Sequence, residues 1–123
     1  NLSIRVIGEK QESRYISSCR SLSAERNAGQ LIAGDSVEIS GKNIKVVGSH
    51  PSVGIELINE NGNNIRIAEN KIIVDKPSKL IILLPENLPK GAYTLMITTQ
   101  YSPGSTLLKN PRIIKKVIDV ITE

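Results

Sequence analysis

The sequence predicts an all-β domain in which about seven to nine short strands form an antiparallel sandwich or barrel. Turn-forming residues recur at intervals of roughly eight to twelve residues, a spacing typical of such folds. Apolar residues make up 39% of the chain and are almost entirely aliphatic, with no Phe, no Trp and three Tyr. No helical segments alternate with the strands, so a parallel sheet is not expected. A chain of 123 residues fits a single domain of ordinary size, and residues 1–123 are assigned to one.

The first 33 residues are predicted to form a first strand, a second short strand and a long connection. Residues 2–8 alternate in polarity and end at a glycine, which favours a first strand. A short strand is expected over residues 14–17. The stretch SLSAERNAG can form one helical turn, since Ser21 or Ser23 can cap it and Gly29 can end it.

The pattern sharpens after residue 33. AGDSVEISGKNIKVVG predicts a strand with Val37 and Ile39 on one face, a turn at Gly41, and a second strand with Ile44 and Val46. VGIELINENGNNIRIAEN then predicts a hairpin, in which the Asn-Gly pair at 61–62 supplies residues that tolerate positive φ. Further strands are expected over residues 71–74, 79–84 and 112–121.

GAYTLMITTQY predicts a long alternating strand with Tyr93, Leu95 and Ile97 on one side. The preceding ENLPKG supplies a proline-fixed corner. In immunoglobulin-like sandwiches a tyrosine near the start of a late strand bonds back to the backbone a few residues upstream. Tyr93 is therefore predicted to form a structural tyrosine corner.

No catalytic, cofactor or metal site is predicted. The chain holds one Cys and one His, too few for a zinc site and unsuited to a disulfide. Cys19 is interpreted as a buried thiol, and His50 lies in a turn-like GSHPS context. The Asn residues between 59 and 64 are explained by turn formation rather than by calcium. The protein is expected not to be an enzyme.

Positive charge gathers near the end of the chain, which carries a net charge of +4. On a strand, Arg112 and Lys116 share one face and Lys115 takes the other. The favoured interpretation of these residues and Lys109 is protection of a sheet edge against aggregation. A surface that contacts phosphate or a protein partner through Lys109, Arg112, Lys115 and Lys116 stays open as the alternative. Strand addition to an exposed edge, formed by residues 112–121, is a third route to a partner.

Five segments together resemble a known family: GDSVEISGKNIKVVG, VGIELIN, NKIIVDKPSKLIILLP, LPKGAYTLMITTQYS and LLKNPR. They are similar to a C-terminal immunoglobulin-like domain of unknown function from Bacteroidetes, which usually follows an N-terminal HU-like (IHF/HU-related) DNA-binding domain. The resemblance is strongest over residues 34–112. A possible surface motif is formed by Thr99, Gln100 and Tyr101. GDSVEISGKNI also resembles the first strands of IPT/TIG domains, over a shorter and less specific pattern.

The resemblance implies a non-catalytic accessory or interaction domain of an HU-like DNA-binding protein, with DNA held by an upstream domain that is absent from this chain. A protein partner or self-association is expected, in the cytoplasm and associated with the nucleoid. No stretch of 18 or more apolar residues occurs, so no membrane contact is expected. The first alternative is direct DNA-backbone binding through the basic C-terminal surface. The second is an exported protein- or carbohydrate-binding module, since the chain begins at Asn1 and we expect it to have been trimmed.

Overall fold

A computed structural model describes residues 14–22, 29–104 and 106–121 of the chain. Across these ranges the regular structure is nine β-strands and one 3-10 turn at Glu69–Lys71. The strands are β1 Tyr15–Ser21, β2 Gln30–Ile32, β3 Ser36–Lys42, β4 Gly54–Asn59, β5 Asn64–Ile67, β6 Ile72–Lys76, β7 Lys79–Leu83, β8 Gly91–Thr99 and β9 Arg112–Ile121. The predicted all-β class is confirmed. The strand predicted over residues 2–8 lies outside the described residues, as does most of the predicted helical turn.

The strands form two sheets that pack as a sandwich. The four-stranded sheet has the order β1-β3-β7-β6, and the five-stranded sheet has the order β2-β9-β8-β4-β5. Neighbouring strands are antiparallel except β2 and β9, which run parallel over three residue pairs. Each sheet buries one face, because alternate side chains of a strand point to opposite sides.

The core between the sheets is aliphatic. Leu57 lies opposite Leu95 and Ile55 opposite Ile97 on neighbouring strands, and all four side chains are essentially inaccessible to water. Val37 and Ile39 of β3 line the other layer, as the alternation in the sequence predicts. Ile, Leu and Val fill this interior without a single Phe or Trp. Truncating one such buried Leu or Ile to Ala typically costs about 2–5 kcal/mol.

β2 is a strand that the sequence pattern does not reveal. Its three residues are too few to show a period, and it is stabilised by partners distant in sequence. The Ile32 amide donates to Ser21 Oγ at 2.9 Å, and the Asp119 amide donates to the Gly29 carbonyl at 2.7 Å. β2 therefore covers the end of β9. The prediction of an exposed sheet edge over residues 112–121 is wrong for residues 119–121.

The predicted turn at Gly41 and the predicted strand around Ile44 and Val46 are wrong. Gly41 continues β3, and a Cβ on it would lie 2.2 Å from the Tyr15 carbonyl of β1. The chain turns instead at Asn43, whose φ is 57°. Residues 44–48 then cross from one sheet to the other, with Ile44 fully buried but outside any ladder. The apolar alternation there arises from packing against the core rather than from strand pairing.

The predicted hairpin forms between β4 and β5, with residues 60–63 as its loop. Asn59 Oδ1 accepts the amides of Asn61 and Asn63, each at 2.9 Å. Gly62 takes a φ of 86°, the left-handed conformation that glycine adopts without a steric penalty. The asparagines of this loop thus have a structural explanation in turn formation.

Candidate functional site

Thr99, at the end of β8, anchors the crossover between the sheets. Its side chain is completely buried. Its hydroxyl donates to the Lys45 carbonyl and accepts the Val47 amide at 3.2 Å and the Tyr101 amide at 3.0 Å. One threonine hydroxyl therefore satisfies backbone groups on both sides of the crossover.

Gln100 joins two loops that are far apart in sequence. Its Oε1 accepts the His50 amide at 3.0 Å, and its Nε2 donates to the Leu108 carbonyl at 3.0 Å. The main chain repeats both connections: the Gln100 amide donates to the Val47 carbonyl at 2.9 Å, and its carbonyl accepts the Leu108 amide at 2.8 Å. We name Thr99 and Gln100 together the β8 clamp.

The clamp requires a glycine across from it. Gly48 has a φ of 137°, and a Cβ placed on it would lie 2.3 Å from Gln100 Oε1. Both the conformation and the contact exclude an ordinary side chain at this position. The expectation of a surface motif is therefore wrong for Thr99 and for Gln100, which is only 8% exposed, whereas Tyr101 is partly exposed. These polar side chains are buried because they replace water as hydrogen-bond partners of loop backbone.

Asp75 of β6 holds the crossover segment in place, a role that the sequence pattern does not reveal. Its Oδ1 accepts the Val46 amide at 2.8 Å, and the Ile44 amide donates to the Pro77 carbonyl at 2.9 Å. Burial raises the pKa of the Asp75 carboxyl, although the Val46 amide and the charge of Lys45 act in the opposite direction. The carboxylate thus docks the crossover on the four-stranded sheet.

A groove of about 600 Å³ lies beside Asp75, between the crossover and strands β4, β5 and β6. Arg66 contributes to its lining and is held by three acceptors, on Glu56, Val53 and Pro51. Its Nη1 lies 2.9 Å from Glu56 Oε2, and its Nη2 donates to the Val53 carbonyl. The charged side chains of Arg66 and Asp75 therefore bond to other parts of the same chain. Neither is oriented toward a ligand in the groove.

Tyr93 has the geometry of a tyrosine corner. Its ring is buried, and its hydroxyl donates to the Pro89 carbonyl, four residues upstream, at 2.6 Å. Burial raises the pKa of this phenol, so it stays protonated and keeps its donor at physiological pH. The bond fixes the proline corner that leads into β8.

The four cations near the C-terminus do not share one surface. Arg112 and Lys116 pair with Thr99 and Leu95, on the inner side of β9, while Lys115 pairs with Met96 on the outer side. Lys109 lies in the exposed loop before β9. The division of Arg112 and Lys116 from Lys115, which the strand period predicts, is confirmed by this register. A single basic stripe is not formed.

Cys19 and His50 are separated by the fold. Cys19 is fully buried in β1, and burial raises the pKa of its thiol to about 11, against a smaller opposite effect of Lys116. His50 is exposed in the loop after the crossover, where its Nδ1 lies 2.8 Å from Ser52 Oγ. A thiol that is protonated at neutral pH and lies in an apolar core is a poor nucleophile.

Among the described residues, no group of three or more His, Cys, Asp or Glu side chains is placed to hold a metal ion. Within the same ranges, no helix is long and apolar enough to cross a membrane.

Known proteins share this architecture. A model of a domain of unknown function with an immunoglobulin-like fold, DUF4469, matches residues 15–114. The chain belongs to the DUF4469 family. This DUF4469 domain thus consists of the two sheets described above, with the Tyr93 corner and the β8 clamp at the two ends of β8. A search of the curated proteins finds no match.

One solved structure similar to this DUF4469 domain comes from Bacteroides vulgatus and is described as a "putative bacterial DNA binding protein". The two share 36% sequence identity, with a TM-score of 0.87. The similarity covers 92% of this chain and 49% of the Bacteroides chain. This domain therefore spans about half the length of that protein.

Proposed function

We propose that this chain is a non-catalytic, immunoglobulin-like accessory domain of a bacterial DNA-binding protein, and that it acts through contact with protein. The observation that carries the proposal is the similarity to the Bacteroides protein, at 36% identity over 92% of this chain. Membership of the DUF4469 family supplies the fold but no activity.

In this proposal DNA is bound by a separate part of the full-length protein, which corresponds to the half of the Bacteroides protein that is not similar to this chain. The similarity covers 49% of the Bacteroides chain, which leaves room for a separate DNA-binding part. The resemblance seen in the sequence favours an HU-like domain for that part, acting on the nucleoid in the cytoplasm. The register of β9 supports the assignment, because phosphate contacts need cations gathered on one surface and Lys115 lies opposite Arg112 and Lys116.

The absence of catalysis is supported by what the reactive side chains do. Cys19 is buried with a pKa of about 11, while Tyr93 and Thr99 each bond to backbone. These groups stabilise the fold and do not converge on a cavity. A catalytic nucleophile would instead need an adjacent base in an accessible cleft.

Fluorescence anisotropy with a short labelled duplex tests where DNA binds. We expect no saturable binding to this chain at low salt. We expect salt-sensitive binding to the Bacteroides protein, retained when the half that matches this chain is deleted. The deletion keeps the remaining half in its own sequence, so it serves as the matched comparison.

Binding of this chain alone at low salt would contradict the proposal. If that binding also disappeared after Lys109, Lys115 and Lys116 were changed to Glu, these C-terminal cations would be the DNA contacts. The dependence on salt separates phosphate contacts from other association, since each lost phosphate contact reduces the salt slope by roughly one.

A further inference from the structure

The outer face of the five-stranded sheet carries exposed aliphatic side chains where a water-exposed sheet is usually polar. Val117 is 71% exposed and Ile113 is 59% exposed, both on β9. Met96 of β8 and Ile58 of β4 are partly exposed on the same side. Antiparallel sheets with one free face normally place polar residues there. We name the side formed by Ile58, Thr94, Met96, Ile113 and Val117 the outer face.

The opposite surface of the sandwich has a different character. At its centre Glu38 Oε1 lies 3.7 Å from Arg20 Nε and Glu38 Oε2 lies 3.7 Å from Lys79 Nζ. Such a charged group is typical of a face that stays in water. Ile73 is 62% exposed on that sheet but sits at an irregularity of the edge strand β6. Ile81 is half-buried beside Glu38 on that face. What distinguishes the outer face is a pair of strongly exposed aliphatic side chains, Ile113 and Val117, on one side of a single strand.

Strand register arranges the outer face in rows of residues across β4, β8 and β9. Each row is complementary to the same row of a second copy placed in the opposite direction across the strands. One row runs Glu56, Met96, Lys115 across β4, β8 and β9, and the next runs Ile58, Thr94, Val117. A two-fold axis parallel to β8 exchanges β4 of one copy with β9 of the other. Glu56 then faces Lys115 of the second copy, and Ile58 faces Val117.

The two ends of the first row carry opposite charges, of which Lys115 is exposed and the Glu56 side chain is 19% exposed. Glu56 and Lys115 lie two strands apart, roughly 10 Å, so they do not pair within one chain. Glu56 takes Arg66 Nη1 at 2.9 Å and Asn64 Nδ2 at 3.1 Å, and a carboxylate has about four acceptor sites. Lys115 makes no ion pair within the described residues.

We propose that the outer face binds the outer face of a second copy of this chain, about a two-fold axis parallel to β8. The proposal rests on the proposed role in protein contact and names the partner. Face-to-face sheets pack about 10 Å apart, close enough for Val117 and Ile58 to interdigitate. Lys115 and Glu56 fix the direction of approach, because the reversed arrangement places like charges together.

Sedimentation velocity of this chain across a concentration series tests the contact. We expect a reversible dimer that Val117→Asp weakens at least tenfold, because a two-fold interface contains each substitution twice. Ile73→Asp is the matched control, since it places the same charge on a similarly exposed strand position of the other sheet, and we expect it to leave the dimer unchanged. Thermal unfolding of both variants shows that they remain folded.

A charge exchange tests the register. Lys115→Glu is expected to weaken the dimer, and the double variant Glu56→Lys with Lys115→Glu is expected to restore it. A monomer at every concentration up to about 1 mM, which corresponds to only about 4 kcal/mol of binding, would overturn the proposal. A dimer that is equally sensitive to Ile73→Asp, or indifferent to Val117→Asp, would do the same.

Failure here is distinct from failure of the proposed function. A strictly monomeric chain that does not bind DNA leaves an accessory domain with a different protein partner. A chain that dimerises and also binds DNA by itself retains this interface and loses the proposed division of labour.

Discussion

Replacing Gln100 by Ala should destabilise the domain by about 2–3 kcal/mol. The side chain makes two good hydrogen bonds, to the His50 amide and to the Leu108 carbonyl, both at 3.0 Å. Each is worth about 1 kcal/mol, and the backbone groups left unpaired in a site that is now 8% exposed add to the loss. Unfolding entropy of about 2.1 cal/mol/K per residue gives about 0.26 kcal/mol/K for 123 residues. The midpoint should therefore fall by about 8–12 °C.

Differential scanning calorimetry measures the midpoint, and hydrogen exchange of the His50 amide reports the local effect. Gln30→Ala is the matched control, because Gln30 is half-buried on β2 and its substitution should change stability by no more than about 0.5 kcal/mol. Equal midpoints for the two variants, with unchanged protection of the His50 amide, would refute the role assigned to the β8 clamp.

Three further predictions follow from single contacts. Tyr93→Phe should cost about 1 kcal/mol in urea unfolding through loss of the bond to Pro89, and an unchanged midpoint would show that the corner hydroxyl contributes nothing. The raised pKa of Asp75 means that the folded state holds its proton more tightly than the unfolded state. The associated stability penalty is complete above the folded pKa and declines as pH falls from there to the unfolded pKa. Asp75→Asn, which keeps an acceptor for Val46, should therefore be relatively more stable at pH 7 than in acid, whereas a pH-independent difference would contradict this. Cys19, buried with a pKa of about 11, should react with a thiol reagent only upon unfolding, and rapid stoichiometric labelling of the native protein would disprove its burial.

Local pattern was sufficient for the long strands. β8 alternates around Tyr93, Leu95 and Ile97, and these side chains are buried on one side, as the period of two requires. The same period places Lys115 on the opposite side of β9 from Arg112 and Lys116, and the pairing with β8 agrees with it. These features depend only on the geometry of a single strand, which its own residues specify.

The errors fall where segments distant in sequence meet. Ile44 and Val46 alternate like a strand, yet the chain there is held by Asp75 of β6 and by Pro77 of the turn that follows, and it forms no ladder. β2 is three residues long and exists because β9 offers a parallel neighbour. Thr99 and Gln100 look like exposed polar residues in the sequence, and the loops that they bond lie up to 54 positions away.

The aliphatic sandwich, the turn at Gly62 and the tyrosine corner follow from local sequence, because side-chain period, positive φ and a corner proline act over a few neighbouring residues. The burial of the β8 clamp and the grouping of Val117, Met96 and Ile58 on one outer face are set by strand pairing across the whole fold. Burial and register depend on which strands become neighbours, and strand order is a property of the whole chain.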